Sequence, residues 1–212
     1  MEMSSSTPVQ VTTFGLLRHG QTEWNILKRV QGSADSPLTQ EGRLQSAEWG
    51  KTLLQLGWHR IICSDLGRVK ETVAILNQSL QLPVAYDPRL REQHWGDWEG
   101  MTIPHITKHF HKELTRQVAL GWDFTAPGGE SRGAVRDRLF GALSEAAIQW
   151  PEQRILVVCH QGVIKSALYH LTQREFLPGE DPLLQHNRLH LIRCANGTFS
   201  PVKLNIPRLA EP

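Results

Sequence analysis

The feature that most narrows the choice of fold is the run Arg154 to Val158, the most apolar stretch of the chain, which passes within a few residues into helical spacing over Gly162 to Leu171. A short apolar run followed at once by a helix is the grammar of a strand in a parallel sheet. The same alternation recurs. Val11 to Leu17 is β-branched at its start and apolar at its end, and Arg60 to Cys63 is another short strand. Thr39 is placed to cap a helix with Leu44, Ala47 and Leu54 on its apolar face, closing near Gly57. Ser64 or Asp65 is placed to cap the next, which carries Leu66, Val69, Val73, Leu76 and Leu80 at helical intervals. Pro83 then breaks the chain ahead of a short strand at Val84 to Tyr86. Ile103 to Val118 reads as helical, and Ser131 caps a helix with Val135, Leu139, Leu143 and Ala146 on one face. Leu189 to Cys194 and Thr198 to Leu204 flank Asn196-Gly197, a hairpin signal. Strands alternating with helices predict an α/β fold, a three-layer α/β/α sandwich around a mainly parallel central sheet.

No internal repeat or linker divides the chain, so residues 11–212 are expected to form a single domain behind a flexible, Ser-rich tail over residues 1–10. With 23 Lys+Arg against 21 Asp+Glu the net charge is +2, which offers no basic face for nucleic acid or an anionic membrane. No run approaches the ~20 apolar residues of a membrane span. Cys63, Cys159 and Cys194 are widely separated and form no Cys-x-x-Cys pair, which argues against a disulfide framework or structural zinc and for a reducing cytoplasm.

In open parallel sheets ligands bind outside the carboxyl ends of the strands. The first strand delivers Arg18, His19 and Gly20; the second delivers Ser64, Asp65 and, one turn on, Arg68. The Arg154 strand delivers Cys159, His160, Gln161 and Gly162. Each residue alone has an ordinary structural explanation. Together they put two histidines and two arginines at one sheet edge, above helix starts whose unpaired N–H groups favour anions. Arginine adds a fork that matches phosphate oxygens.

These residues lie in a longer ordered series. Leu17-Arg18-His19-Gly20-Gln21-Thr22-Glu23-Trp24-Asn25 is followed by Gln31-Gly32 and by Asp35-Ser36-Pro37-Leu38-Thr39 with Gly42. Ser64-Asp65-Leu66-Gly67-Arg68 with Glu71-Thr72 comes next, then Leu90-Arg91-Glu92 and Trp95-Gly96-Asp97-Trp98-Glu99-Gly100. Pro127-Gly128-Gly129-Glu130-Ser131 and Val157-Val158-Cys159-His160-Gln161-Gly162 complete it. The series resembles the histidine phosphatase superfamily, the phosphoglycerate mutase-like group, over roughly residues 12 to 170. The resemblance implies a phosphoglycerate mutase-like fold and a metal-independent phosphatase with no cofactor, acting on a small-molecule phosphate ester. It implies His19 as the nucleophile, forming a phosphohistidine, with Arg18, Arg68 and His160 around the phosphate oxygens and Glu92 as general acid and base. Asn25, Gln31 and the backbone N–H of Gln161 are implied as further phosphate contacts. No metal ligands are implied.

Two other phosphoryl chemistries compete. A cofactor-dependent mutase uses the same phosphohistidine, but relatives of that kind usually carry a Tyr-Gly-x-Leu-x-Gly-x-Asn-Lys-like run where this chain has His94 to Thr102. Cys159 to Ser166 reads Cys, five residues, Lys, Ser, one residue short of a cysteine-phosphatase loop, with Lys165 in place of the arginine. A non-catalytic phosphate-binding module is the reading outside enzymes; retention of His19, His160, Arg18, Arg68 and Glu92 argues against it. Residues 101–126, with His105, His109, His111, Lys108, Lys112, Arg116, Trp122 and Phe124, are expected to form a substrate-selecting lid. His105 and His109 are spaced to share a helix face, and no third metal ligand is identifiable. Relatives handle sugar phosphates, phosphoglycerates, nucleotide-related monoesters and α-ribazole phosphate, and the sequence does not choose among them. The hairpin at Asn196 is a candidate homodimer edge.

Overall fold

The computed structural model describes residues 10–209. Apart from Gln10, the expected flexible tail therefore lies outside the described residues. In chain order the elements are β1 (Val11–Arg18), α1 (Glu23–Ile26), α2 (Gln40–Leu54), β2 (Arg60–Cys63), α3 (Gly67–Leu80), β3 (Val84–Tyr86), α4 (Ile103–His109), α5 (His111–Val118), α6 (Arg132–Gln149), β4 (Arg154–Cys159), α7 (Gln161–Leu171), β5 (Leu189–Ala195) and β6 (Thr198–Ile206). The sheet runs β3-β2-β4-β1-β5-β6. Pairing is parallel from β3 to β1 and antiparallel where β5 joins β1 and β6. The strand with the most apolar sequence, β4, thus lies between β2 and β1, where both faces are covered.

Alternation along β4 assigns its side chains to two cores. Ile155, Val157 and Cys159 pack with Val135, Leu139 and Leu143 of α6 and Val163 and Ala167 of α7. Leu156 and Val158 pack on the other face with Trp49 and Leu53 of α2 and Val69, Val73 and Leu76 of α3. Register then decides where the functional residues stand. Arg18 pairs opposite Cys159 and Cys63 opposite Val158, so three parallel strands end level at one edge.

Three local expectations are corrected. Leu44 and Leu54 do not face the core; they are 54% and 59% exposed. The buried side of α2 is instead Gly42, Ser46, Trp49, Gly50, Thr52 and Leu53, because small residues let its backbone approach α3. A Cβ at Gly50 would sit 2.7 Å from the Leu76 carbonyl oxygen. Neither Ser64 nor Asp65 caps α3: its N-cap is Leu66, without a side-chain cap. The Asp35 carboxylate accepts from the Arg68 N–H at 3.2 Å, and Asp65 pairs with Arg91. The helix over Ile103 to Val118 breaks at Phe110 (φ −120°, ψ 25°) into α4 and α5.

The hairpin forms as expected, with Asn196 and Gly197 at φ 51° and 76°, the paired positive values that a two-residue turn of matching twist demands. Among the described residues no helix is long and apolar enough to cross a membrane. Val30, Trp98, Ile106, Phe124 and Ala126 make a small third core with Trp95, Met101, Leu114 and Val118. That core ties α4 and α5 to the loop after α1, reinforced by backbone bonds between Val30, Gly100 and Met101.

Candidate active site

His19 is the first residue beyond β1 and only 6% exposed. Its Nδ1 lies 2.7 Å from the Gly20 carbonyl oxygen. A carbonyl can only accept, so Nδ1 carries the proton and the Nε2 lone pair is free. Burial first, then the charges of Arg18 and Arg68, hold its pKa well below the ordinary imidazole value; the ring is neutral at pH 7. His160, the residue before α7, is fully buried and its ring centroid lies 5.2 Å from that of His19. Burial, His19, Arg68 and Arg18 depress its pKa likewise. Its Nε2 is 2.9 Å from Ser64 Oγ, and its Nδ1 is buried without a partner. Ser64 Oγ already accepts from the Leu66 N–H at 3.3 Å. The hydroxyl proton is thus available to His160 Nε2, the arrangement that leaves a proton on Nδ1.

The two arginines are held differently. Arg68, 1% exposed, donates Nη1 to the Ala34 carbonyl (2.6 Å) and Asp35 (3.0 Å) and Nη2 to the Gly32 carbonyl (2.8 Å). Arg18 at the end of β1 has no side-chain hydrogen bond among the described residues, and its Nε is sealed from solvent. Burial draws its pKa down, Glu92 raises it and Arg68 lowers it; guanidinium stays charged through shifts of this kind.

The Glu92 carboxylate accepts from Gln93 N–H at 2.9 Å and from Gly162 N–H, in the first turn of α7, at 3.1 Å. Gly162 is required here by proximity, since a Cβ would lie 2.4 Å from Glu92 Oε1. Thr22 caps α1, and Asn25 completes the capping box by accepting the Thr22 N–H at its Oδ1 (3.0 Å), which leaves Nδ2 as its unused donor. Gln31 Nε2 is 2.9 Å from Thr22 Oγ1, and its Oε1 is buried without a partner.

A cavity of about 160 Å³ is lined by Arg18, His19, Asn25, Gln31, Arg68 and Glu92, with Arg29, Val30, Gly32 and Trp95 completing the wall. Neither His160 nor Gln161 is among the residues that line it. A larger cavity of about 420 Å³ shares Arg18, His19 and Asn25 and continues past Gln21 and Gln45 to His186, Asn187 and Arg188. Sequence reasoning did not find that second wall, which comes from a loop at residues 186–188, far along the chain from His19, with no motif of its own. It also missed Ser64, Asp35 and Thr22 as supports of His160, Arg68 and Gln31, and gave Glu99 no role. Glu99 accepts from Ser33 N–H (2.7 Å) and Trp95 N–H (3.0 Å), joining two walls of the smaller cavity.

Cys159 does not fit a nucleophile. It is fully buried in the α6–α7 core, and burial pushes its thiol far above the ordinary thiol range. Lys165 lies 4.7 Å over the Tyr169 ring rather than at the sheet edge. The His105 and His109 rings do stand 4.3 Å apart, yet no group of three or more potential ligands occurs among the described residues. Trp122 packs on Phe176 and donates to the Arg174 carbonyl, while Phe124 is buried in the third core; neither lines the smaller cavity.

Neutral imidazoles beside unpaired guanidinium charge, at the carboxyl edge of a parallel sheet, define a class of α/β enzyme suited to handling phosphoryl groups. The comparisons narrow this. Residues 14–207 match the family described as Histidine phosphatase superfamily (branch 1), and the chain belongs to that family and is a phosphatase. A Bacillus subtilis relative named Uncharacterized phosphatase PhoE is 32% identical over 196 residues, covering 92% of this chain and 93% of its own. A Salmonella relative named Probable phosphoglycerate mutase GpmB is 40% identical over 147 residues, 68% of this chain and 67% of its own. Among solved structures, Bacillus stearothermophilus YhfR superposes with TM-score 0.84 at 30% identity, covering 92% of this chain and 97% of its own. A mycobacterial glucosyl-3-phosphoglycerate phosphatase described as complexed with VO3 gives TM-score 0.79 at 27% identity, covering 92% and 98%.

Proposed function

We propose that this phosphatase hydrolyses small phosphomonoesters without a metal ion, through a phosphohistidine on His19 and with Glu92 as general acid and then base. The observation that carries the reading is the Arg18 guanidinium: charged, without a hydrogen bond or salt bridge among the described residues, and set beside a histidine kept neutral with its Nε2 lone pair free. A desolvated unpaired charge is costly unless an anion completes it, and a dianionic phosphoryl group has the matching charge and acceptor geometry.

In the first step the His19 Nε2 lone pair forms a bond to phosphorus and the ester P–O bond breaks, the leaving oxygen taking the Glu92 proton. In the second, water gives a proton to the Glu92 carboxylate and its oxygen displaces Nε2, so the P–N bond breaks and inorganic phosphate leaves. Arg18, Arg68 and the Nδ1–H of His160 stabilise the equatorial oxygens. Asn25 Nδ2 supplies a further donor, and so does the backbone N–H of Gln161 at the start of α7. Gln31 contributes after an amide flip. The Thr22 hydroxyl can donate to Oε1 as readily as accept from Nε2, and the flip turns an NH2 group toward the phosphate.

Residues 101–126 are read as the lid that shapes the leaving-group side, through Trp95 and the core behind it. Three buried unpaired thiols support a cytoplasmic setting. The name of the 40% identical Salmonella relative favours a second reading, mutase-type transfer. Phosphate release from a panel of phosphomonoesters, phosphoglycerates first, is to be measured in EDTA for wild type and His19→Ala. Release that disappears in the variant supports the proposal. Isomerised phosphoglycerate without free phosphate selects the mutase reading, and release that survives His19→Ala overturns the nucleophile.

A further inference from the structure

We propose that Arg138 is a positioning residue for Glu92, setting the backbone of residues 89–94 so that the carboxylate meets the leaving group. The inference rests on the reading of Glu92 as general acid. Arg138 lies on α6 between Val135 and Leu139, both fully buried in the core against the sheet, so its Cα is fixed by packing. Its guanidinium makes four hydrogen bonds to three groups. Nε and Nη2 grip the Glu130 carboxylate as a fork, at 2.7 and 2.9 Å. Nη1 donates to the Arg89 carbonyl, and Nη2 also donates to the Glu92 carbonyl at 3.2 Å.

Glu130 continues the clamp from the other side. Its carbonyl accepts from Gln93 Nε2 at 2.7 Å, its N–H donates to the His94 carbonyl at 2.8 Å, and its carboxylate takes the His94 N–H at 3.4 Å. Arg89, Glu92, Gln93 and His94 are each tied to Arg138 or Glu130. The pair is only about one-fifth exposed on either side, so solvent screens it weakly.

These contacts converge on one output. With the main chain set, the Glu92 side chain reaches Gly162 N–H, level with the end of β4 and the start of α7. Only arginine presents a planar fork with donors left over for two carbonyls; lysine, a point charge with three donors on a flexible stem, cannot hold the four contacts together.

The test uses two substrates that differ in their need for an acid. Nitrophenolate leaves p-nitrophenyl phosphate without a proton, whereas the alkoxide of an alkyl phosphate requires one. Arg138→Lys and Glu130→Gln, either of which weakens the clamp should the other fail to fold, are compared with Glu92→Gln. The expected result is a fall in kcat/KM of about 100-fold on the alkyl ester, the cost of about 1 Å of misplacement, with kcat/KM on p-nitrophenyl phosphate within about 3-fold of wild type. That ratio covers only the steps through phosphohistidine formation and so leaves out the later base step. Adding Arg138→Lys to Glu92→Gln should cause no further loss on the alkyl ester, since the arginine acts through the carboxylate. Equal losses of kcat/KM on both substrates, or additive losses in the double variant, would overturn the inference while leaving Glu92 in place. A Glu92→Gln enzyme whose kcat/KM falls alike on the two esters would remove the acid assignment itself.

Discussion

Replacing Gly162 by alanine separates the placing of Glu92 from the stability of the fold. The new Cβ would fall 2.4 Å from Glu92 Oε1 and 3.2 Å from Cδ. Ordinary carbon–oxygen contact begins near 3.4 Å, so the carboxylate must retreat by about 1 Å. The atoms in the way belong to the end of a flexible side chain, not to backbone, so the helix itself is not strained. Alanine in the first turn of α7 instead gains helix propensity, about 0.5–1 kcal/mol relative to glycine. The thermal midpoint should therefore hold or rise slightly while catalysis falls. A 1 Å displacement of a proton-transferring group costs about 100-fold, and the loss in kcat/KM, which reports the step forming the phosphohistidine, should be confined to substrates with poor leaving groups. Steady-state kinetics on an alkyl phosphate and on p-nitrophenyl phosphate, with a melting curve for each protein, measures both quantities. A Gly162→Ala enzyme as stable as wild type and unimpaired on the alkyl ester would refute the placement of Glu92 as acid.

Stability should also fall on the acid side through a histidine remote from the site. His190 on β5 accepts the Asn205 N–H at Nδ1 (3.2 Å), and burial lowers its pKa to about 4. The unfolded chain binds a proton below pH 6.5 that the folded chain refuses, so stability present above that pH is lost as pH falls toward 4. At pH 5 the loss from this residue is about 1–2 kcal/mol, the lower figure allowing for solvent screening. Urea titrations at pH 7 and pH 5 should show a difference smaller by that amount in His190→Gln; an unchanged difference would exclude His190 as the source. His19 and His160, lowered in the same direction, add losses that remain in that variant. At Arg18, substitution by methionine should abolish turnover yet raise stability by about 1 kcal/mol, since removing an unpaired charge is favourable and the open cavity limits the gain. Unchanged or lower stability would show that the guanidinium already has a partner in the protein.

What was legible in the sequence was mostly what backbone pattern and chemistry announce locally. Arg154 to Val158 could be read as a strand of a parallel sheet because Ile155 to Val158 is an unbroken apolar run. Asn196-Gly197 could be read as a turn because its two residues accept positive φ. The histidines and arginines were found because strand ends are few and charge there is conspicuous. The errors share a cause as well. The apolar face of α2 was assigned from leucines, although glycine and serine decide which side approaches α3. Ser64 was read as a helix cap because hydroxyls commonly cap, but its partner is His160, 96 residues away. Arg138 and Glu130 look like an ordinary pair on one helix entrance until the fold brings residues 89–94 between them. Contacts across such distances leave no local periodicity to read.

The depth of the site explains why it uses these residue types and not chemically similar ones. Burial disfavours any charged form, and here it acts on imidazole and guanidinium together. Imidazole begins near 6.5, so even a modest depression leaves it neutral at pH 7; guanidinium begins above 12 and survives the same penalty as a cation. One environment therefore yields a histidine whose lone pair is free and, beside it, a permanent positive charge. A lysine at position 18 or 68 would start about two units or more below arginine and move further toward neutrality on burial. It would forfeit the charge the phosphoryl oxygens require, and at Arg68 it would also lose the fork that grips Gly32, Ala34 and Asp35. The combination of histidine with arginine follows from where the strands of a parallel sheet end: deep enough to neutralise the one, not deep enough to discharge the other.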